Sequence, residues 1–323
     1  MKTRRLGRTG LRVSEIGYGA WGIGKALWVG ADDAESLRAL HRAIDLGVNF
    51  IDTALAYGPG HSERLVGQVV RERRETIVVA TKVPPKNNQW PASAAVPVAA
   101  VFPGDHVIES CESSLRNSGL ATLDLLQLHV WHDVFLGQGD WQDALDRLKR
   151  AGKVRFVGIS INDHDPASAL KAVASGIFDT VQVIYNIFDP TPAAELFPLC
   201  LKHEVGVLAR VPLDEGGLTG SITPDASFEA GDFRNRYFKG DRRRQVFERA
   251  KALEPLLGEE AATLPELALR FCLSQEAVST VIPGMRSVRN VERNLALSDG
   301  RRLSPGLLAQ LVPHAWPRNF YQP

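Results

Sequence analysis

An alternation of strand-like and helix-like segments runs through nearly all of the 323 residues. Eight short apolar runs rich in β-branched residues predict strands; they are residues 15–20, 48–52, 76–82, 123–129, 154–160, 180–186, 205–211 and 278–283. Amphipathic segments between them predict helices. Strands that alternate with helices form parallel sheets with right-handed crossovers. Eight such units predict a closed (β/α)₈ barrel, a TIM barrel, with residues 1–323 as one domain that includes a C-terminal tail at 303–323.

The net charge and the cysteine content limit which binding partners and which cellular compartment fit this chain. The formal net charge of +1 provides no field that would attract nucleic acid or an anionic membrane surface. No segment approaches the ~20 apolar residues of a membrane span, and residues 1–10 lack the apolar run of a signal peptide. Three separated cysteines without a CxxC pair suit a reducing compartment. These features predict a cytoplasmic protein that acts on a small molecule, and they leave its oligomeric state open.

Two connections are much longer than the others. Residues 84–104 follow the third predicted strand, and residues 213–240 follow the seventh. Long loops in compact domains are usually functional or disordered, and the loops that follow barrel strands surround the active site. Both are therefore expected to be active-site loops. The aromatic and proline-rich segment 314–323 is expected to fold back over the same face.

Ionisable residues close three consecutive predicted strands. Asp52 ends the second strand, Lys82 the third and His129 the fourth, and Tyr57 follows Asp52 on a loop. The four side chains are expected to meet, because the C-terminal strand ends of a barrel converge on its active site. A phenol has a pKa near ~10, and a neighbouring ammonium lowers it. The set predicts that Tyr57 is a proton donor with a pKa lowered by Lys82, which Asp52 keeps charged, while His129 binds a substrate carbonyl.

Five segments of the chain resemble the signature segments of the aldo-keto reductase superfamily. They are NFIDTALAYG followed by SE, VVATK, LLQLH, VQVIYN, and VIPGMRS followed by an asparagine, and the resemblance extends to about Asn294. It implies a (β/α)₈ barrel that uses a nicotinamide cofactor, usually NADPH with NADH possible, to reduce aldehydes and ketones. It also implies a catalytic tetrad of Asp52, Tyr57, Lys82 and His129, with Tyr57 as the acid.

The resemblance implies further residues for binding. Those for the cofactor are Trp21, Ser160, Asn162, Gln182, Arg210, Leu213, Gly217, Thr219, Gly284, Arg286, Ser287, Asn290 and Asn294. Those for the substrate are Trp21, Trp90, Trp131 and His132. Two positions depart from the family pattern: Ile161 stands where the family often has asparagine, and Arg210 stands where an aromatic ring stacks on the nicotinamide. Arg286 and Arg289 are candidates for binding the 2′-phosphate of NADPH.

Other interpretations of the same residues remain open. Residues 17–22, GYGAWG, match a dinucleotide-binding glycine pattern, but no clear helix follows them, so a first barrel strand is favoured. His129, His132 and Asp133 lack the further ligands of a metal site, so no metal is expected. A desolvated Lys82 would also suit a Schiff-base lyase or aldolase, and the resemblance includes cofactor-binding regulatory subunits of channels.

Polar and aromatic loop residues fit a hydroxylated substrate, such as a sugar or another polyol, at least as well as an apolar aldehyde. They are Lys86, Asn87, Trp90, Trp131, His132, Arg234 and Tyr237.

Overall fold

The computed structural model describes residues 1–322 and contains the predicted barrel. The strands are β1 Thr3–Arg5, β2 Arg12–Ser14, β3 Tyr18–Gly19, β4 Phe50–Asp52, β5 Val78–Val83, β6 Leu123–Leu128, β7 Val154–Ser160, β8 Thr180–Ile184, β9 Gly206–Arg210 and β10 Val278–Val281. From β3 to β10 each strand pairs in parallel with the next one along the chain. Single bridges from Ile16 to Val281 and from Gly19 to Gly284 join the first of these strands to the last. The sheet is thereby closed.

Helices fill most of the connections between barrel strands. They are α1 Asp33–Asp45, α2 His61–Glu72, α3 Val98–Val101, α4 Gly104–Ser118, α5 Trp141–Arg150, α6 Leu170–Ala174, α7 Leu196–Lys202, α8 Arg234–Tyr237, α9 Arg242–Lys251, α10 Leu264–Leu273, α11 Val288–Leu295 and α12 Pro305–Leu311. The bounds of α1 follow from its sequence: the Asp32 carboxylate accepts a hydrogen bond from the Glu35 amide at 2.8 Å, and Gly47 beyond its end has a φ of +93°. Among residues 1–322, no helix combines the length and apolar character that crossing a bilayer requires.

An N-terminal hairpin, which the sequence interpretation missed, seals one end of the barrel. Strands β1 and β2 pair antiparallel. Leu6 and Val13 from the hairpin segment pack against Phe50, Val78 and Leu125, which fill the barrel interior near the N-terminal ends of the strands. This apolar plug leaves the opposite, C-terminal end of the barrel as the open end.

The two long loops and the tail lie at that open end. The loop at 84–104 contains α3, and the loop at 213–240 contains α8. The tail crosses the same face: the Trp316 amide donates to the Phe188 carbonyl at 2.8 Å, and the Asn319 side chain donates to the Asp163 carbonyl at 3.2 Å. The expectation that the tail folds back over this face is therefore confirmed for its described residues.

Candidate active site

The four ionisable residues predicted at the strand ends meet at the open end of the barrel. Asp52 is the last residue of β4, Lys82 is the penultimate residue of β5 and His129 directly follows β6. Tyr57 lies on the turn that connects β4 to α2. Strands β4, β5 and β6 are neighbours and pair in parallel, so residues at their C-terminal ends lie side by side.

Lys82 is the centre of the group. Its side chain is fully buried, and its Nζ donates to Asp52 Oδ2 at 2.7 Å, to the Thr53 carbonyl at 2.8 Å and to the Tyr57 hydroxyl at 3.1 Å. Burial alone would lower the pKa of Lys82, but the charge of Asp52 and the contacts with both partners outweigh it and raise that pKa. Lys82 is therefore an ammonium whose three N–H groups are all in use.

Asp52 is held from its other side by two glutamines. Its Oδ1 accepts from Gln182 Nε2 at 2.8 Å and from Gln127 Nε2 at 3.4 Å. Both glutamines are buried, so the carboxylate is oriented within the barrel interior. Gln182, predicted to bind cofactor, therefore also contacts the carboxylate that pairs with Lys82.

Tyr57 differs from the sequence expectation in its electrostatics. Burial raises the pKa of the Tyr57 phenol, and the charge of Lys82 offsets only part of that rise. The expectation that Lys82 brings this pKa below its ordinary value is therefore wrong, because the phenol loses more solvation than the ammonium returns. The phenol is protonated at neutral pH, which is the state a proton donor requires.

His129 is a neutral imidazole in this structure. Burial, together with the charges of Lys82 and Arg210, holds the pKa of His129 well below its usual range. Its ring packs edge-on against Trp90, with 4.7 Å between ring centroids, and against Tyr57 at 5.8 Å. Its Nδ1 is buried and has no hydrogen-bond partner among residues 1–322. A neutral imidazole beside the phenol can donate one hydrogen bond to a carbonyl oxygen.

A cavity of about 640 Å³ opens above these residues. Its volume falls in the range usual for ligand pockets. Its wall includes most of the predicted binding residues: Trp21, Trp90, Ser160, Asn162, Gln182, Arg210, Leu213, Thr219, Gly284, Arg286 and Asn290.

Two residues predicted to contact substrate lie elsewhere. Trp131 is fully buried and packs edge-on against Trp141 and Phe178, with ring centroids 5.2 and 5.0 Å apart. His132 caps a short 3₁₀ turn, where its Nδ1 accepts from the Val134 amide at 3.2 Å. Neither residue lines the cavity. The prediction was wrong because the chain turns outward after β6 and buries the large indole between helices.

Three predicted cofactor residues also have other surroundings. A Cβ on Gly217 would lie 2.4 Å from Asp214 Oδ2, so this glycine packs against the inner side of its loop. Ser287 caps α11 by accepting from the Asn290 amide at 3.3 Å. Asn294 is buried on the same helix. None of the three lines the cavity, and neither do Lys86, Asn87 or Tyr237.

Arg210 and Asn162 line the cavity but are engaged with protein groups. Arg210 Nη2 donates to the Ile161 carbonyl and to Asp163 Oδ1, both at 2.9 Å. Both ends of the Asn162 amide bind the backbone of Ala92, at 2.9 and 3.0 Å. Each end of the Asn162 amide thus already has one partner within the protein, while its predicted role on the nicotinamide stays a prediction.

Among the residues of the cavity wall that sequence reasoning did not name are Glu215 and Tyr321. Tyr321 donates a hydrogen bond to the Glu215 carboxyl group, and burial raises the pKa of Glu215 to about 7. Glu215 has a φ of +54°, a conformation that non-glycine residues rarely adopt. No sequence pattern marks a glutamate for that conformation, whereas the aromatic tail did signal Tyr321.

Comparison with known proteins identifies the family of this chain. The model of the Aldo/keto reductase family matches residues 15–312. The chain belongs to the aldo/keto reductase family. It is 30% identical over 299 residues to aldo-keto reductase YhdN of Bacillus subtilis, covering 90% of this chain and 87% of that protein. It is 29% identical over 306 residues to an NADH-specific methylglyoxal reductase of Escherichia coli, covering 92% of this chain and 93% of that protein.

Solved structures of this family superpose on the barrel. The glycerol dehydrogenase AKR11B4 from Gluconobacter oxydans matches with a TM-score of 0.77 and 27% identity, covering 98% of this chain and 97% of that one. An aldo/keto reductase from Klebsiella pneumoniae, in complex with NADP and acetate, matches with a TM-score of 0.68 and 28% identity, covering 98% and 96%. The prediction of a (β/α)₈ barrel of the aldo-keto reductase type is confirmed.

Proposed function

We propose that this protein interconverts an aldehyde or ketone and the corresponding alcohol, using a nicotinamide cofactor, with Tyr57 as the proton donor. One observation carries the proposal: the Tyr57 hydroxyl lies 3.1 Å from Lys82 Nζ at the base of the cavity, and Asp52 binds the same nitrogen at 2.7 Å. A phenol in contact with a buried ammonium can release its proton into the cavity and remain there as a stabilised phenolate.

The residues of the cavity fit a nicotinamide dinucleotide. Arg286 is partly buried and lines the cavity; among residues 1–322 it donates to the Val29 carbonyl at 2.9 Å but forms no ion pair. Burial, and then the nearby charge of Arg234, lowers the pKa of Arg286, and a phosphate is the group that would relieve both effects. Ser160, Thr219 and Asn290 supply neutral hydrogen-bonding groups along the same wall. NADPH is favoured, and NADH remains possible because a relative is specific for it.

When bound, the cofactor supplies the hydride, and the side chains of this chain manage the proton. Neutral His129 donates a hydrogen bond to the substrate carbonyl oxygen, which directs that oxygen toward Tyr57. Tyr57 would then donate its proton to that oxygen. Lys82 stabilises the phenolate that results, and solvent returns the proton after the alcohol leaves. In the reverse direction the same phenolate accepts the proton of the alcohol.

The alternative of a Schiff-base lyase lacks support from the surroundings of Lys82. A Schiff base requires a neutral amine with a free lone pair. Here Asp52 raises the pKa of Lys82 against the effect of burial, and the nitrogen already makes three hydrogen bonds. Reductase chemistry uses this charged form directly.

The substrate portion of the cavity favours a small hydroxylated carbonyl compound. Trp21, Trp90 and Phe233 provide aromatic surfaces, while Arg210 provides a guanidinium and Glu215 a carboxyl group. Aromatic faces with a few polar groups suit the C–H and O–H surfaces of a sugar or another polyol. The glycerol dehydrogenase among the similar structures supports the same class.

Binding and turnover test the proposal separately. Trp fluorescence titration is expected to give a dissociation constant for NADPH below about 1 mM, and absorbance at the NADPH band is expected to reveal reduction of at least one compound in a panel of aldehydes, ketones and aldoses. Tyr57→Phe should lower turnover by about 10²–10⁴ with NADPH affinity unchanged. If Tyr57→Phe retains its turnover, Tyr57 is not the proton donor. Saturable binding without any turnover would instead indicate a cofactor-binding regulatory protein.

A further inference from the structure

The loop at 84–104 is tied to the barrel by one side chain. Residues 86–90 of this loop are exposed, and Ala92, which follows them, is buried. The Ala92 amide donates to Asn162 Oδ1 at 2.9 Å, and Asn162 Nδ2 donates to the Ala92 carbonyl at 3.0 Å. A side-chain amide that satisfies both backbone groups of one residue fixes that residue in position and orientation, as a strand pairing would.

Trp90 lies two residues before this attachment. Its indole is 47% exposed, and its ring stands perpendicular to the His129 imidazole, with 4.7 Å between centroids. Both rings line the cavity. Because residues 86–90 have few other anchors, the position of Trp90 over His129 depends on where Ala92 is held.

The turn that carries Asn162 also holds the other side of the cavity. The Ile161 carbonyl and the Asp163 carboxylate both accept from Arg210 at the end of β9. The Asp163 carbonyl accepts from Asn319 in the tail at 3.2 Å. Three consecutive residues after β7 therefore connect the loop after β5, the end of β9 and the tail. A rigid support of this kind is what keeps cavity walls at a fixed separation.

We propose that Asn162 is a positioning residue for the carbonyl substrate: by holding Ala92 it places Trp90 against His129, so it determines substrate affinity and does not contact the cofactor. The inference rests on the proposed carbonyl reduction in this cavity. It differs from the role on the nicotinamide that the sequence pattern implied for Asn162.

Two Asn162 variants and one control test the inference, with DL-glyceraldehyde and 4-nitrobenzaldehyde as substrates. Asn162→Ala removes both hydrogen bonds to Ala92. Asn162→Asp keeps the shape of the side chain but places a carboxylate oxygen against the Ala92 carbonyl, so it tests the same contact where the alanine variant fails to fold. Asn87→Ala is the control, because among residues 1–322 the Asn87 side chain hydrogen-bonds only to Gln89, within the loop.

In both Asn162 variants the KM for the carbonyl substrate should rise about tenfold or more, because displacement of a substrate wall by ~1 Å has effects of this size or larger. Affinity for NADPH should change by no more than about twofold. The double variant Asn162→Ala/Trp90→Ala should have the same KM as Trp90→Ala alone, since Asn162 acts through Trp90. Asn87→Ala should behave as wild type.

Limited proteolysis gives a readout that is independent of activity. Lys86 is exposed within the loop, so trypsin should cut after Lys86 faster in the Asn162 variants, while cleavage elsewhere keeps its wild-type rate. A loss of NADPH affinity as large as the rise in KM would overturn the inference, as would additive effects of Asn162→Ala and Trp90→Ala. If the wild type shows no turnover at all, the proposed function fails. The positioning role is rejected separately if trypsin cuts after Lys86 at the same rate in the Asn162 variants as in the wild type.

Discussion

At the scale of single residues, the placement of charge in the tetrad determines what each side chain can do. Lys82 cannot act as a nucleophile while its three N–H groups bind Asp52, Thr53 and Tyr57. Burial makes Tyr57 a weaker acid than free tyrosine, and Lys82 offsets part of this effect. In the proposed reaction the ammonium therefore matters most after the proton has left Tyr57, when it would stabilise the phenolate.

Lys82→Met removes that stabilisation without removing the phenol. Turnover should fall by about 10²–10⁴, comparable to the loss for Tyr57→Phe. The losses should be far from additive in the double variant, because the two residues act as a unit. Single-turnover hydride transfer with folded, purified variants measures this. Multiplicative losses would show that Lys82 and Tyr57 contribute independently.

Glu215 provides a prediction about pH. Burial raises the pKa of Glu215 to about 7, above the ~4.3 of an unfolded chain. Between these values the folded state holds a proton that the unfolded state has released. This proton stabilises the folded state fully below the unfolded pKa, and the stabilisation is lost as pH rises to the folded pKa. The free energy of unfolding should therefore fall by about 2–3 kcal/mol between about pH 5 and about pH 8.

Glu215→Gln is the matched variant, because a glutamine keeps the shape and the acceptor for Tyr321 but does not titrate. The free energy of unfolding of the wild type relative to this variant, from urea titrations across that range, should fall with rising pH. A constant or rising difference would show that Glu215 is not the buried acid described above.

At the scale of structural elements, the sequence predicted best the features with long apolar runs or with charged residues that stand out against apolar neighbours. Barrel strands with long apolar runs were located closely, β7 at the predicted bounds. The hairpin of β1 and β2 was missed because each strand has three residues, and arginines interrupt its apolar positions. The tetrad was predictable because charged residues stand out at apolar strand ends. Trp131 was not, because the direction of a turn after a strand has no signature in composition.

The connection from β10 to α11 carries the arginine that we expect, together with Arg289, to determine the choice between NADPH and NADH. Changing Arg286 and Arg289 together to Ala should weaken NADPH by about 2–4 kcal/mol, at ~1.5–3 for a hydrogen bond to a charged group, and leave NADH nearly unchanged. Arg293→Ala on the same helix is the control. Fluorescence titration with both cofactors measures the difference, and equal losses for NADPH and NADH would show that these arginines do not discriminate between them.

At the scale of the whole molecule, the tail stabilises the open end of the barrel through a buried ion pair. Arg318 Nη2 donates to Asp214 Oδ2 at 2.6 Å, and both side chains are largely buried. Arg318→Met would leave the Asp214 carboxylate with the Tyr237 hydroxyl, 3.1 Å away, as its remaining side-chain partner among residues 1–322. Such a change should lower the free energy of unfolding by about 3–5 kcal/mol.

Arg244→Met is the control for this measurement. Arg244 pairs with Asp241 and Glu248 on the exposed surface of α9, where its side chain is 54% exposed. An exposed pair contributes little to stability, because solvent screens the two charges. Urea unfolding of the two variants should therefore give very different losses. Similar small losses would mean that the tail does not hold the loop after β9.

The seam between β3 and β10 is short, so we expect the barrel to open more readily there than elsewhere. Strand β3 has two residues, and only single bridges connect its segment to the β10 side, whereas β6 and β7 share a continuous ladder. Amide protons of Gly17 and Gly19 should therefore exchange with solvent sooner than those of β6. Trp21 stands on one side of the seam and Arg286 on the other, both in the cavity wall. A dinucleotide that contacts both would tie the two sides of the seam together, and its binding would be recorded as slowed exchange at Gly17, which lies outside the cavity wall, as well as at Gly19 within it.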